Sequence, residues 1–172
     1  MTNRKKTADW LHSIVKRYER PLCQYAYSIL NNAETAREVV QDSFLKLCQQ
    51  SRNRIEKKIP AWLFLVCRNR ALDVIRKNKR MMELDEKQEA ELVSERRRPD
   101  ENAVFNENAS IALKLLAKLP ENQREVIRLK FQQELSYREI ASVTKLSESN
   151  VGYLIHVGIK DLRGQMAVVT AN

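Results

Sequence analysis

Cations dominate the side chains of this chain that could do chemistry. Arg52, Arg54, Lys57 and Lys58 crowd one short segment, and Arg68, Arg70, Arg76, Lys77, Lys79 and Arg80 follow closely. Trp62, Phe64 and Asn69 stand among them. Guanidinium and ammonium groups donate charge-assisted hydrogen bonds to phosphate. Aromatic faces stack on bases, and a carboxamide hydrogen-bonds base edges. A basic surface interleaved with such groups suits an opened single strand better than a closed duplex. The same composition also describes a solvated basic face around a core tryptophan.

Catalytic chemistry is less well served. Cys23, Cys48 and Cys67 are odd in number and widely spaced, which fits neither a disulfide framework nor a C-x-x-C metal clip. Each falls near apolar neighbours at helical spacing, so buried free thiols in a reducing compartment are expected. His12 and His156, the two histidines, lie far apart in sequence. No nucleophile sits beside an evident base, and no glycine loop could cradle a phosphate. An enzyme, a metal site and a cofactor are therefore not expected, and no catalytic residue is assigned.

A second constellation lies near the other end, in LSYREIASVTKLSESNVGYLIHVGIKDLR, Leu135 to Arg163. Ser136 and Glu139 form an S-x-x-E capping box, and Leu135 and Ile140 occupy the positions of a hydrophobic staple. These set a helix start. Lys145 and Leu146 then turn the chain, and Ser147 caps a second helix. In that helix Val151, Leu154, Ile155, Gly158, Ile159 and Leu162 make one apolar stripe. Ser149, Asn150, Gly152, Tyr153, His156 and Lys160 point the other way. A short helix, a tight turn and a longer amphipathic helix follow the helix-turn-helix grammar, although an ordinary helical hairpin has similar spacing. If the second helix enters a major groove, Asn150 can read adenine, and Ser149, Tyr153 and His156 can donate to bases or phosphates. That outward set contains no arginine, so it gains little affinity from counterion release. Gly152 is expected to let the backbone approach DNA, and Gly158 to let a neighbouring helix come close. This module should bind weakly by itself and need help elsewhere in the chain.

The elements that must position these groups are helical. Three glycines and four prolines in 172 residues leave few breaks. Charge divides the chain into three blocks. Residues 1–80 hold 18 basic and 7 acidic residues, net +11. Residues 81–108 hold 4 and 9, net −5, and residues 109–172 hold 9 and 6, net +3. A uniform solvated surface would not segregate in this way. The overall charge of +9 implies a polyanionic partner, nucleic acid or an anionic membrane. No apolar run approaches the roughly 18 residues of a membrane span, and the N-terminus lacks a signal-peptide core. A cytoplasmic protein without membrane insertion is expected.

In the first block Trp10, Leu11, Ile14, Val15 and Tyr18 form a stripe that continues past Pro21 as Leu22, Tyr25, Ala26, Ile29 and Leu30. Asn31-Asn32 makes a turn. Ala36, Val40, Phe44, Leu47 and Cys48 give the next apolar face. Gln49 to Lys58 reads as a loop, and Pro60 starts a helix whose apolar side is Trp62, Leu63, Val66, Leu72 and Ile75. The acidic block, interrupted by Pro99, reads as a linker, with helix expected at most at its start. The last block opens with Ile111, Leu115, Leu116 and Leu119, and Pro120 starts a helix packed through Val126, Ile127, Leu129 and Phe131. The expected fold is all-α: two small helical domains, 1–80 and 109–172, joined by an acidic linker, 81–108.

Taken together, these segments resemble the extracytoplasmic-function sigma factors, the two-domain branch of the sigma-70 superfamily. PAWLFLVCRNRALDVIRKNKR is similar to the family's P-x-x-W-L-x-x-I-A-R-N-x-x-x-D-x-x-R-x-x-x-R signature at Pro60, Trp62, Leu63, Arg68, Asn69, Asp73, Arg76 and Arg80. AREVVQDSFLKLCQQ resembles D-x-V-Q-E-x-F-x-x-x-W through Val40, Gln41, Asp42 and Phe44, with Cys48 at the usual tryptophan. LAKLPENQREVIRLKF and the helix-turn-helix resemble the C-terminal domain. The resemblance implies that Val40, Gln41, Asp42 and Phe44 dock on core RNA polymerase. It implies that Arg52, Arg54, Lys57, Lys58, Trp62, Asn69, Arg76, Lys77 and Arg80 open and hold the −10 element of promoter DNA. It implies that Ser147, Ser149, Asn150, Tyr153, His156 and Lys160 read the −35 element. The linker would thread toward the polymerase active centre, its carboxylates standing in for phosphates. An anti-sigma factor is a further partner the family allows. Where the family usually has G-T-V-K-S-R-L-x-R-A-R, Ser149 to Ile159 read S-N-V-G-Y-L-I-H-V-G-I. A stand-alone helix-turn-helix regulator is the alternative function.

Overall fold

Two asparagines set the first corner. Asn31 adopts a left-handed backbone, φ 52°, which asparagine tolerates better than most residues. Asn32 is extended, and its Oδ1 accepts from the Thr35 N–H at 2.9 Å, capping the helix that follows. This turn separates α1, Asn3–Leu30, from α2, Ala33–Cys48. The structure is a computed structural model that describes residues 3–85 and 107–170. The segment expected to be a loop instead contains a helical turn, α3, Arg52–Ile55, and a 3₁₀ turn, Glu56–Lys58. Ile55 is buried and anchors it. α4 then runs from Ile59 to Asp85, past the boundary expected at residue 80. Residues 86–106, most of the expected linker, lie outside the described residues.

The chain divides into two compact units, Met1–Arg98 and Pro99–Asn172. In the first, α1, α2 and α4 pack against one another. Pro21 leaves α1 unbroken, although its ring nitrogen has no hydrogen to donate to residue 17. Leu22, Tyr25 and Ala26 from α1 meet Ala36, Val39, Val40 and Leu47 from α2, and Ile59, Leu63, Phe64, Cys67 and Ala71 from α4. Phe64 is fully buried, edge-on to Tyr25 with centroids 5.2 Å apart. The front half of α1 is less engaged: Trp10, Leu11, Ile14, Val15 and Tyr18 are all half-buried.

The buried face of α4 departs from the one expected. Of Trp62, Leu63, Val66, Leu72 and Ile75, only Leu63 belongs to the core, and Ile75 is 40% exposed. Small residues decide the outcome, because Cys67 and Ala71 bring α4 close to its neighbours and Phe64 fills the space beside them. Phe64 therefore has no face to offer a base. On α2 the polar Ser43 is buried and donates to the Val39 carbonyl at 2.8 Å, whereas Cys48 is exposed, contrary to the expected burial.

The second unit holds α5, Glu107–Lys118; α6, Glu121–Phe131; α7, Tyr137–Thr144; and α8, Glu148–Thr170. α8 packs on each of the other three. The capping box is complete: the Ser136 hydroxyl accepts from the Glu139 N–H at 3.3 Å, and the Ser136 N–H donates to Glu139 Oε2 at 2.8 Å. Leu135 and Ile140 are both buried beside it. Lys145, left-handed at φ 65°, makes the turn into α8. Leu116, Leu119 and Ile127 form a cluster that Leu162 joins from α8. Phe131, expected in this core, is 58% exposed at the last turn of α6.

Candidate nucleic-acid interface

The helical pitch organises the front surface. Trp62, Asn69 and Arg76 lie seven residues apart on α4, and Asp73 and Arg80 fall on the same face one turn away from the last two. Asn69, Asp73, Arg76, Lys77 and Arg80 are exposed, and Trp62 is half-buried among them. Arg76 Nη1 donates to Asp73 Oδ1 at 2.8 Å, which holds the guanidinium against the helix surface. Lys79 lies 3.9 Å from Glu83. The stripe is thus a row of cations with a carboxamide and an indole at its head.

The segment before α4 supplies the rest. Arg54, Lys57 and Lys58 are exposed on the short helical turns. Arg52 is differently placed. Its Nη2 lies 2.9 Å from Glu56 Oε1, and its guanidinium carbon is 5.4 Å from the Trp10 ring centroid. Arg52 therefore ties this segment to α1 by a cation–π contact. It serves the surface as a brace, with less of its charge left for an external phosphate than its neighbours have.

The four residues expected to dock a protein partner divide by burial. Val40, at 2% exposure, belongs to the core and holds α2 in place rather than presenting a contact. Gln41 is exposed, and Phe44 is half-buried. Asp42 accepts a hydrogen bond from Arg70 Nε at 2.7 Å. One residue of this face was missed: Leu45, 63% exposed, one turn beyond Gln41. Its only signal in the sequence is that it falls outside the buried stripe of α2.

On α8 the outward set is as expected. Ser149, Asn150, Tyr153, His156 and Lys160 are exposed, with Tyr153 at 64%. Ser147 has a structural duty, since its hydroxyl accepts from the Asn150 N–H at 3.2 Å. The two glycines do different things. A Cβ on Gly158 would lie 2.6 Å from Ile127 Cδ1, so its absence is what lets α6 and α8 come together. A Cβ on Gly152 would lie 3.4 Å from the Tyr137 ring. The space expected to admit DNA backbone is therefore flanked by an aromatic ring of α7. Lys130 lies 5.4 Å from that ring's centroid, and Arg138 Nε is 3.3 Å from Glu148 at the start of α8. These cations border the helix-turn-helix, while the charges of α8 itself, Glu148 and Asp161 against Lys160 and Arg163, cancel. Arg128 is half-buried, and that burial, with the nearby charge of Arg124 adding to the effect, lowers its guanidinium from the usual range.

Comparison with known proteins matches both halves. The family profile for sigma-70 region 2 covers residues 14–81, and that for sigma-70 region 4 covers residues 110–162. Among curated relatives, the ECF RNA polymerase sigma factor SigW of Bacillus subtilis (strain 168) is 28% identical over 172 residues, spanning 95% of this chain and 92% of its own. SigM of the same organism is 24% identical, over 81% of this chain and 85% of its own. The ECF RNA polymerase sigma factor RpoE of Cereibacter sphaeroides is 28% identical over 78% of this chain and 74% of its own. Among solved structures, the sigma factor RpoE in complex with the anti-sigma factor NepR, from Bartonella quintana, superposes with a TM-score of 0.64. That pair is 20% identical, covering 95% of this chain and 98% of the other, and shares the fold.

Proposed function

Since the chain belongs to the extracytoplasmic-function branch of the sigma-70 family and is an RNA polymerase sigma factor, we propose how its surfaces divide the work of initiation. The front unit docks on core RNA polymerase through the exposed side of α2, with Gln41, Asp42, Phe44 and Leu45 as contacts and Val40 as their internal support. The α4 stripe and the segment before it open the −10 element. Trp62 and Asn69 meet unstacked bases, Arg54, Lys57, Lys58, Arg76, Lys77 and Arg80 hold the strand's phosphates, and Arg52 braces the segment. The rear unit sets register at the −35 element through Asn150, Tyr153 and their neighbours.

One observation supports this division above others: exposed cations gather on α4 around an indole and a carboxamide, whereas the leading turns of α8, through His156, present no cation outward, and Lys160 and Arg163 follow only further along the helix. A strand-gripping surface and a nearly neutral reading surface are different tools. A stand-alone regulator would leave the α2 face and the α4 stripe without a purpose. The protein acts in the cytoplasm by binding alone. No helix among its described residues is long and apolar enough to cross a membrane. An anti-sigma factor is a fitting regulator, because the solved structural neighbour is held by one.

The test is reconstitution. The purified chain mixed with core polymerase should elute as one complex and support run-off transcription from supercoiled genomic DNA. Absence of a complex at micromolar concentrations would end the proposal. Tight, specific duplex binding without polymerase would point to the stand-alone regulator instead.

A further inference from the structure

The ion pair between Arg70 and Asp42 links two surfaces that have separate partners. Asp42 stands on α2 beside Gln41, and Arg70 stands on α4 beside Asn69. Arg70 Nε donates to Asp42 Oδ2 at 2.7 Å, across 28 residues of sequence. The ion pairs Arg76–Asp73 and Lys79–Glu83 each stay within α4, whereas this one joins two helices. Both side chains are partly exposed, 44% for Arg70 and 41% for Asp42, so each can exchange its partner for one from solution.

A carboxylate and a phosphate compete for the same guanidinium donors. While Asp42 holds Arg70, that cation is neutralised, and the carboxylate's own charge repels a phosphate brought near it. A cationic group that pairs with Asp42 removes both obstacles together. We propose that Arg70 is a promoter-backbone contact held in reserve by Asp42 in the free chain, and released when a basic group of the polymerase engages Asp42. The inference rests on the polymerase-facing role assigned to α2 and the strand-facing role assigned to α4. It adds that the two are coupled through a single exchangeable ion pair, so that docking raises the charge available to DNA.

The release can be mimicked without polymerase by removing the acid's charge. The full chain and its Asp42→Asn, Arg70→Gln and double variants are titrated with a fluorescein-labelled, adenine- and thymine-rich single-stranded oligonucleotide over a range of salt. Asp42→Asn should tighten binding about threefold, the size of an exposed ion pair. The slope of log affinity against log salt should steepen by about 0.7, the signature of one added phosphate contact on a single strand. In the Arg70→Gln background the same change should alter neither quantity. Glu38→Gln, which removes one negative charge elsewhere on α2, should leave the slope unchanged. An equal gain from Asp42→Asn with and without Arg70, or no gain, overturns the coupling while leaving the strand-facing surface intact. If none of the proteins binds the strand, the surface on α4 fails and the coupling fails with it.

Discussion

Cys67 shows how much a single buried atom depends on its surroundings. It is fully buried on α4, and burial pushes its thiol up to about 12 from an ordinary 9.0, against the opposing pull of a hydrogen bond with Ser43. Below about pH 9 the thiol is protonated in the folded and unfolded chain alike, and its ionisation has no effect on stability. Above that, the unfolded chain gives up the proton and the folded chain does not until about pH 12. Folding stability therefore falls as pH rises through that window, by about 1.4 kcal/mol per pH unit from this group. Denaturant unfolding of the parent and of Cys67→Ala at stepped alkaline pH should show the parent losing stability more steeply; equal slopes would contradict the assignment. The three thiols looked alike in the sequence, yet only Cys67 is fully enclosed. Cys48 is exposed because its neighbours Val39, Val40, Ser43 and Leu47 turn α2 so that it faces away.

At the scale of the helix, legibility depended on how local the signal was. The Asn31-Asn32 corner, the Ser136–Glu139 capping box and the stripe of α8 could all be read from neighbouring residues, because caps and helical periodicity are properties of short segments. The buried face of α4 could not, since it depends on which small residues two other helices approach. Phe64 and Trp62 exchanged the roles expected of them in part: Phe64 fills the core, and Trp62 keeps a partly open face. The two glycines of α8 give a test of packing against propensity. Each replacement by alanine gains about 1 kcal/mol of helix propensity. Gly152→Ala meets the Tyr137 ring only at ordinary contact distance and should stabilise the protein by about that amount. Gly158→Ala must displace buried Ile127 and should fall below the parent, since overpacking costs about 1–3 kcal/mol. Thermal unfolding followed by circular dichroism decides it, and a stabilised Gly158→Ala would mean that α6 and α8 are less closely engaged than their geometry indicates.

Across the whole molecule, the segregation of charge was visible in the sequence before any fold was known, and it fits the division of labour proposed for the two units. Which cations are available was not visible. Arg52 pairs with Glu56 and Arg76 with Asp73 at helical spacing, but the contacts of Arg52 with Trp10 and of Arg70 with Asp42 need the folded chain to bring their partners together. The face proposed for docking was half legible for a similar reason. Val40 and Gln41 are adjacent in sequence but about 100° apart around α2, so that one is buried and the other exposed, and Leu45 becomes noticeable only when its exposure is known. A chain whose proposed reading helix has no net charge must take most of its hold on DNA from elsewhere, and the front unit has the side chains to provide it.

The most direct measurement of that claim is promoter opening by polymerase reconstituted with Arg76→Gln/Arg80→Gln. At about 1.5 kcal/mol for each charge-assisted contact, opening should fall on the order of a hundredfold. Complex formation with core polymerase and the helical circular dichroism should stay at the parent level. Opening at the parent rate by this variant would contradict the account, because the strand would then be held by something other than the cations of α4.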